Sequence, residues 1–525
     1  MSKVTYDTLV GMIVKHGTLY SDKLAFQFEG AEITYAGLDA LSNRIGHALI
    51  ASGIEHGDHI SYLGKNSLTY YAILMGAAKA GAVLTPINWR LARPEITYIL
   101  NDAKAKLLFV GQEFIETASA LKPTLESCKT FITYETSEAD FVDFQDWIAP
   151  HSEDLPDLAI SEDDILVQLY TSGTTGHPKG VMLPHRSLIG LKRIADDHDI
   201  EWSKWGDDDV SLVGMPCFHI GGTGWGLAGL MSGAKGVITR EFFAHEVLDY
   251  IETYKISKIF LVPAAMQLVV NHPRAREVDY STIQYMLYGA SPIPLDLLRT
   301  CMEVFKCGFV QMYGMTETSG TVVTLPPEDH DPNGNEKMRS AGKASPGVEI
   351  AIMDSDGNFL PSGETGQIVT RSPANMAGYW NLPDETVKTL RPDGWLCTGD
   401  AGMMDEDGYI YIHDRVKDMI ISGGENVYPA EVENALFSHP DVADVGVIGV
   451  PDQKWGEVVK AMVVLKANAS STEDDIIAYT RTQIAAFKCP KSIDFIDELP
   501  RNPSGKILRR ILRKPFWEGK ERAVN

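Results

Sequence analysis

Tyr170-Thr171-Ser172-Gly173-Thr174-Thr175-Gly176-His177-Pro178-Lys179-Gly180 combines closely spaced hydroxyl donors, glycines that let backbone N–H groups turn toward an anion, and a lysine carrying a full positive charge. Those are the parts a polyphosphate needs. Residues 165–170 upstream and 180–183 downstream read as strands, so the loop joins two strands. An ordinary hairpin rich in Ser, Thr and Gly is the plain alternative, but the density of the run and its Pro-Lys-Gly ending favour phosphate. The common nucleotide-triphosphate motif needs Gly, four residues, then Gly-Lys-Ser/Thr, and Pro178 stands where its second glycine belongs. A kinase or GTPase reading therefore loses its support.

A chain of 525 residues exceeds one ordinary core, so a large domain with at least one smaller one is expected. The net charge of −24 argues against a nucleic-acid binder, which needs clustered Lys and Arg. One local reversal lies at 501–525, where eight Lys/Arg face two Glu for a net of +6; it suits an anionic cofactor or a solvated basic helix equally. The first 17 residues lack a signal peptide's apolar run, and the longest apolar stretch, 70–84, is broken by Lys79. A cytoplasmic protein without a transmembrane segment is the expectation. Six cysteines with no C-x-x-C pair give no metal framework and read mostly as small buried hydrophobes.

Helical spacing at 38–52 and 68–80 alternates with strand-like runs at 58–63, 82–86, 258–263 and 284–289, which predicts an α/β architecture. From about 345 the character changes to short strands separated by Asp-Gly and Ser-Gly turns, a β-rich subdomain over about 345–416. An α+β segment follows, with strands near 445–450 and 461–465 and a helix near 472–485. The division expected is a core over 1–416 and a small mobile C-terminal lid over 417–525.

Gly224-Trp225-Gly226-Leu227-Ala228-Gly229 matches the dinucleotide fingerprint, follows the strand-like 210–215 and precedes Glu241, which makes an NAD-dependent oxidoreductase the alternative from another class. Against it, eight residues separate the strand from the first glycine, and small residues also serve close packing of a helix on a sheet. Tyr313-Gly314-Met315-Thr316-Glu317 follows a strand expected at 308–312. A carboxylate beside phosphates makes sense if Glu317 holds Mg²⁺ bridging their oxygens, a helix-start cap being the plainer reading. Asp400, expected just after a tight turn, is an acceptor-only side chain suited to a ribose diol. Lys506 falls in a loop of the basic tail.

Taken in order, 171–180, 313–317, 398–400, 415–417 with Gly423-Gly424-Glu425-Asn426-Val427-Tyr428-Pro429, and 503–506 resemble the adenylate-forming superfamily of acyl-CoA synthetases, luciferases and carrier-loading adenylation domains. The resemblance covers essentially the whole chain, which looks like a free-standing acyl-CoA synthetase. It implies ATP, Mg²⁺ and coenzyme A. By resemblance, Thr171, Ser172, Thr174, Thr175 and Lys179 hold the β and γ phosphates, Gly173 and Gly176 belong to the same ATP-binding loop, Thr316 touches the α phosphate and Glu317 the metal. Gly289, Ala290, Ser291 and Tyr313 frame adenine, and Asp400 and Arg415 hold the ribose. Lys506 reaches the reacting carboxylate during adenylation. Lys417 is the hinge about which the lid swings, bringing Gly423 and Gly424 up to line the pantetheine path.

By position in relatives, His219 closes the adenylate end of the acyl pocket, a core histidine being the alternative, and Gly222, Trp225, Val262, Ala265, Met266, Gly314 and Met315 are candidate walls. Long-chain relatives often carry an aromatic gate four residues after this histidine, where Thr223 stands here. Met266 and Met315 suit a flexible alkyl chain, while Gly221, Gly222 and Gly224 leave room for a flat ring. The expectation is a medium- or long-chain fatty acid, with a phenylpropanoid-type aryl acid as the alternative and a non-catalytic ATP-binding protein disfavoured by the intact motifs. A homodimer is compatible with the sequence.

Overall fold

The computed structural model describes residues 6–171, 178–291, 293–415, 418–422, 425–452, 455–501 and 506–518, with the backbone alone for Asp414, Arg415, Ile421, Glu425 and Asn426. Ser172, Gly173, Thr174, Thr175, Gly176, Lys417, Gly423 and Gly424, all expected site residues, lie outside the described residues.

Leu68–Ala80 shows how local sequence sets the elements. Ser67 Oγ accepts from the Tyr70 N–H at its start, and Gly81, at φ 65°, ends it, a side-chain cap at one end and a left-handed glycine at the other. From Tyr70 onward every residue of this helix is buried, as befits a helix apolar on all sides. It touches Leu24–Phe28 of one sheet and Val83–Pro86 and Ile165–Thr171 of another. Lys79 is its one charge; Nζ donates to Asp39 Oδ1 at 2.5 Å and to the Asp39 carbonyl at 2.9 Å.

The first of these sheets runs in parallel through Leu24–Phe28, Lys235–Ile238, Val210–Val213, Lys258–Leu261, Tyr285–Gly289 and Gly308–Met315, with Gly320–Leu325 turning back antiparallel. The second sets Ile165–Thr171, Val83–Pro86, His59–Leu63, Leu107–Val110 and Thr130–Thr133 in parallel, and adds Lys179–Pro184 and Gly378–Tyr379 antiparallel at one edge. Both sheets are covered by helices, which is why their strands read as continuous apolar runs.

Glu349–Met353, Thr365–Arg371, Leu396–Met404 and Ile410–Arg415 form the expected β-rich subdomain, wholly antiparallel. Its core includes Val322 and Val323 from the first large sheet, so it is an annex of the large domain. The small C-terminal domain pairs Ile420–Ser422, Gly456–Leu465 and Val442–Asp452 and has an apolar core of its own around Val447, Val459 and Ile476.

Three expectations are corrected. The glycines of the fingerprint sit inside the helix Ile220–Met231, whereas a dinucleotide site needs them at the strand-to-helix turn. They serve packing: a Cβ on Gly226 would lie 2.2 Å from Tyr71 Oη, and one on Gly229 3.5 Å from Ser211 Cβ. The oxidoreductase reading falls. The strand before Thr316 continues through Tyr313 to Met315. Asp400 stands in the middle of Leu396–Met404 and not beside a turn.

All six cysteines are free, with Cys128, Cys217, Cys301 and Cys489 buried. Among the described residues no helix is long and apolar enough to cross a membrane.

Burial pulls His16, His185, His219 and His330 down to about 4. The unfolded chain protonates these rings below about pH 6.5, so acidification through that window favours unfolding, by up to about 1.4 kcal/mol per pH unit for each ring. The thermal midpoint is therefore expected to fall between about pH 6.5 and pH 5, before most carboxylates titrate; a midpoint unchanged over that range contradicts neutral buried histidines.

Candidate functional site

The hairpin Ile165–Thr171/Lys179–Pro184 brings Thr171 opposite Lys179 at the mouth of the predicted phosphate loop. Its base is anchored from behind. Tyr170 Oη donates to Asp102 Oδ2 at 2.5 Å and accepts from Gln168 Nε2 at 3.0 Å. The Gln168 carbonyl lies 3.1 Å from His59 Nε2, and since burial holds that ring neutral, Nε2 is its N–H. A Cβ on Gly180 would meet Gln168 Nε2 at 2.6 Å, so glycine is required for the strand to lie against this network.

Lys179 is buried, and its Nζ sits 2.5 Å from Glu385 Oε2 and 5.2 Å above the Tyr379 ring. Tyr379 belongs to the short strand paired with Lys179–Pro184, opposite Val181. Its Oη donates to Glu317 Oε1 at 2.9 Å. Glu317 is buried, and its backbone carbonyl accepts from Met376 N–H at 2.8 Å. Lys179 and Glu317, which sequence reading assigned to separate motifs, are thus joined through one tyrosine. Tyr379 and Glu385 were not foreseen; the aromatic after Gly378 was a weak signal for the first, and no local pattern announces the second.

Glu317 fits a hard cation. The Tyr379 hydroxyl bonds to Oε1, and Oε2 is a second acceptor-only oxygen on this buried residue. No cluster of three metal-binding side chains occurs among the described residues, so an ion here would take one carboxylate and complete its shell with phosphate oxygens and water, as Mg²⁺ does.

Two residues upstream of Met315, Tyr313 Oη donates to Asp400 Oδ2 at 2.7 Å, and Asp400 pairs in register with Arg415. Gly289 lies opposite Met312 in the adjacent strand; a Cβ on it would stand 2.0 Å from the Met312 carbonyl. Ala290, at φ 66°, bends the chain away at the carboxyl end of the parallel sheet, with Ser291 next. Carboxyl ends of parallel strands are where α/β folds place ligands. Thr316 is half-buried at the start of Thr316–Thr318, a turn closed by Thr318 Oγ1 donating to the Gly320 carbonyl at 2.7 Å. The structure therefore gathers Thr171, Lys179, Gly289, Ala290, Ser291, Tyr313, Thr316, Glu317 and Asp400 where three sheets meet. Lys506 is half-buried in the small domain beside Ile507, whose backbone bridges to Arg501.

His219 caps the helix Ile220–Met231 with extended backbone, at φ −116° and ψ 151°. Its Nε2 is buried and has no hydrogen-bond partner among the described residues, and burial first, then the cation of Arg90, holds the ring near pKa 4. It is neutral at physiological pH. A Cβ on Gly320 would lie 3.7 Å from Ile220 Cγ1, which brings this end of the helix to the turn carrying Glu317.

The walls expected of the acyl pocket divide. Val262, Ala265 and Met266 are buried at the start of Pro263–Val270 and Met315 is half-buried. Trp225 Nε1 donates to the Leu212 carbonyl at 2.9 Å, and its ring packs on Trp205 and Phe260. Gly222 and Gly314 serve backbone packing: a Cβ would fall 2.2 Å from the Pro216 carbonyl oxygen and 1.7 Å from that of Gly320. Gly221, by contrast, faces only Phe260 Cε1 at 3.3 Å. Thr223, at the position of the aromatic gate, is buried and hydrogen-bonded to Tyr70 Oη at 2.6 Å and to the Cys217 carbonyl at 2.6 Å.

Residues 14–380 match the AMP-binding enzyme family, and residues 431–506 match the AMP-binding enzyme C-terminal domain. The chain belongs to this family. Its members are adenylate-forming enzymes, and the class is that of AMP-forming acid–thiol ligases. The chain is 44% identical to a fatty acid–[acyl-carrier-protein] ligase of Streptomyces coeruleorubidus, over 95% of this chain and 94% of that one. It is 37% identical to a feruloyl-CoA synthase of an Amycolatopsis species, over 96% and 98%. The crystal structure of ATP-bound MatB from Rhodopseudomonas palustris superposes with a TM-score of 0.87 at 29% identity, covering 97% of this chain and 99% of that one.

Gly222→Ala is expected to lower the thermal midpoint by several degrees or to abolish soluble expression, because the added carbon meets backbone rather than cavity, a core-overpacking effect of about 1–3 kcal/mol. A folded variant with an unchanged midpoint, read by differential scanning calorimetry, contradicts that packing.

Proposed function

We propose that the chain joins a carboxylic acid to AMP with release of pyrophosphate and then transfers the acyl group to the thiol of coenzyme A, acting on a medium- or long-chain fatty acid. The observation that carries the reading is the Lys179–Tyr379–Glu317 connection, which sets a phosphate-binding cation and a metal-binding carboxylate side by side, with Tyr313–Asp400 next to them.

Oxide is a poor leaving group, so the acid must first be activated. Both substrates of that step are anions, and catalysis is chiefly positioning and charge neutralisation. Thr171, Ser172, Gly173, Thr174, Thr175, Gly176 and Lys179 hold the β and γ phosphates, and Thr316 holds the α phosphate. Glu317 supplies the carboxylate for Mg²⁺, which when bound neutralises phosphate charge. Gly289, Ala290, Ser291 and Tyr313 seat adenine, while Asp400, oriented by Tyr313 Oη, and Arg415 take the ribose hydroxyls. Neutral His219 closes the adenylate end of the acyl pocket with Nε2, and Lys506 steadies the reacting carboxylate. For the thiol step the chain divides into 1–416 and 417–525, the lid turns at Lys417, and Gly423 and Gly424 line the pantetheine path.

The fatty-acid reading is supported by the 44% identical relative, a fatty acid ligase, and by Met266 and Met315 as adaptable walls. An aryl acid is the second reading, favoured by the feruloyl-CoA synthase relative. Because the fatty acid relative is a ligase for acyl-carrier-protein, a test should offer both thiols. An AMP-release screen over medium and long fatty acids and cinnamate-type acids, with coenzyme A or a carrier protein bearing a free phosphopantetheine thiol as acceptor, is expected to show the largest kcat/KM for a fatty acid with coenzyme A. Preference for a cinnamate-type acid or for the carrier overturns that part of the reading, and ADP in place of AMP overturns the whole.

Lys506→Ala is expected to lose pyrophosphate exchange by a factor of about 10²–10³, the usual effect of removing one well-aimed donor, while still converting presynthesised acyl-AMP and coenzyme A to thioester. Loss of both activities in a folded variant contradicts that division of labour.

A further inference from the structure

Glu385 lies in Pro383–Thr389, on an exposed helix outside the large sheets. Its Oε2 is 2.5 Å from Lys179 Nζ, and its Oε1 is 2.8 Å from Lys388 Nζ. The contact is built into the fold. Tyr379 N–H donates to Thr386 Oγ1 at 2.9 Å, and Thr386 Oγ1 donates to the Leu382 carbonyl at 2.9 Å. Trp380 N–H donates to the Gly180 carbonyl at 2.8 Å and Ala377 N–H to the Met182 carbonyl at 2.9 Å. The helix bearing Glu385 is therefore tied through 377–380 to the strand that Lys179 opens.

Glu317 then engages the tyrosine of the Lys179–Tyr379 pair and Glu385 the lysine, with different chemistry. Glu317 is buried, takes a hydrogen bond from Tyr379 Oη and keeps an oxygen for a cation. Glu385 has both oxygens committed to lysines, first Lys179 and then Lys388, and these hold its carboxyl down to about 2. It is ionised throughout the working range. An ammonium paired with a carboxylate offers a phosphate less net charge, and a phosphate drawn to it meets that carboxylate at close range.

We propose that Glu385 is a positioning residue that acts through Lys179 to weaken the hold on the β and γ phosphates, and so speeds the departure of pyrophosphate after adenylation. This rests on the reading of Lys179 as a phosphate ligand. Lys388, 71% exposed, moderates the effect by sharing the carboxylate. Two changes should then act in opposite directions. Glu385→Gln keeps the size and a hydrogen-bonding oxygen but removes the charge; Lys388→Met leaves Glu385 wholly to Lys179.

The test measures inhibition by inorganic pyrophosphate and KM for ATP in the full-length enzyme, with KM for the acid as the control a general structural defect would also move. Glu385→Gln is expected to lower both the pyrophosphate Ki and the ATP KM by about 3- to 10-fold, an effect that shrinks at high ionic strength. Glu385→Asp is expected to return most of the way to wild type. Lys388→Met is expected to raise the Ki. Should Glu385→Gln leave the Ki unchanged or raise it in a wild type that forms AMP, the proposal is wrong while the adenylation reading stands. A wild type that forms no AMP from any acid removes the reading on which the proposal rests, and the proposal with it. If Glu385→Gln does not fold, Lys388→Met decides: a raised Ki supports the proposal, and an unchanged or lowered Ki overturns it.

Discussion

The short antiparallel pairing of Gly378–Tyr379 with Lys179–Pro184 is the contact on which the site depends. On one side it fixes the strand that opens at Lys179. On the other, the Met376 N–H bonded to the Glu317 carbonyl ties the same segment to the end of the strand Gly308–Met315. Two large sheets with separate strand orders thereby present their loops to one another at a set distance. Tyr379 fills the gap, using its ring face toward a cation and its hydroxyl toward an anion, as an amphipathic aromatic can. Without that segment the lysine and the carboxylate would belong to unconnected edges.

Charge is managed within this frame by burial and pairing rather than by overall composition. The chain carries a net −24, and each charged group gathered where the sheets meet has its own hydrogen-bond partner. Lys179 faces Glu385, Glu317 takes a hydroxyl from Tyr379, and Asp400 takes one from Tyr313. His219 contributes no charge, since burial and Arg90 keep it neutral.

Much of this was legible in the sequence. Leu68–Ala80 is read correctly from its helical spacing, and the loop before Lys179 is read as a link between two strands because its turn-forming residues interrupt two apolar runs. The fingerprint around Gly224 misleads because a spacing of glycines does not state whether they occupy a turn or a helix interior, and here they let a helix lie against Tyr71 and Ser211. Asp400 is placed beside a turn because Asp393-Gly394 precedes it, whereas the strand begins at Leu396 and carries it inward. Tyr379 and Glu385 escape because their partners lie 62 and 206 residues away in sequence. Only the pairing of strands brings them together. Of the glycines expected to leave room for a flat ring, Gly222 is required by the backbone of Pro216, while Gly221 meets only the Phe260 ring.

In the proposed function the carboxylate itself attacks the α phosphate, Lys506 steadying the carboxylate and Thr316 the phosphate, so that one carboxylate oxygen ends on AMP. Turnover of an acid labelled with oxygen-18 in both carboxylate oxygens, followed by mass spectrometry of the nucleotide product, tests this directly. The expected result is AMP carrying one oxygen-18, with unlabelled pyrophosphate. Unlabelled AMP, or label appearing in pyrophosphate, contradicts it.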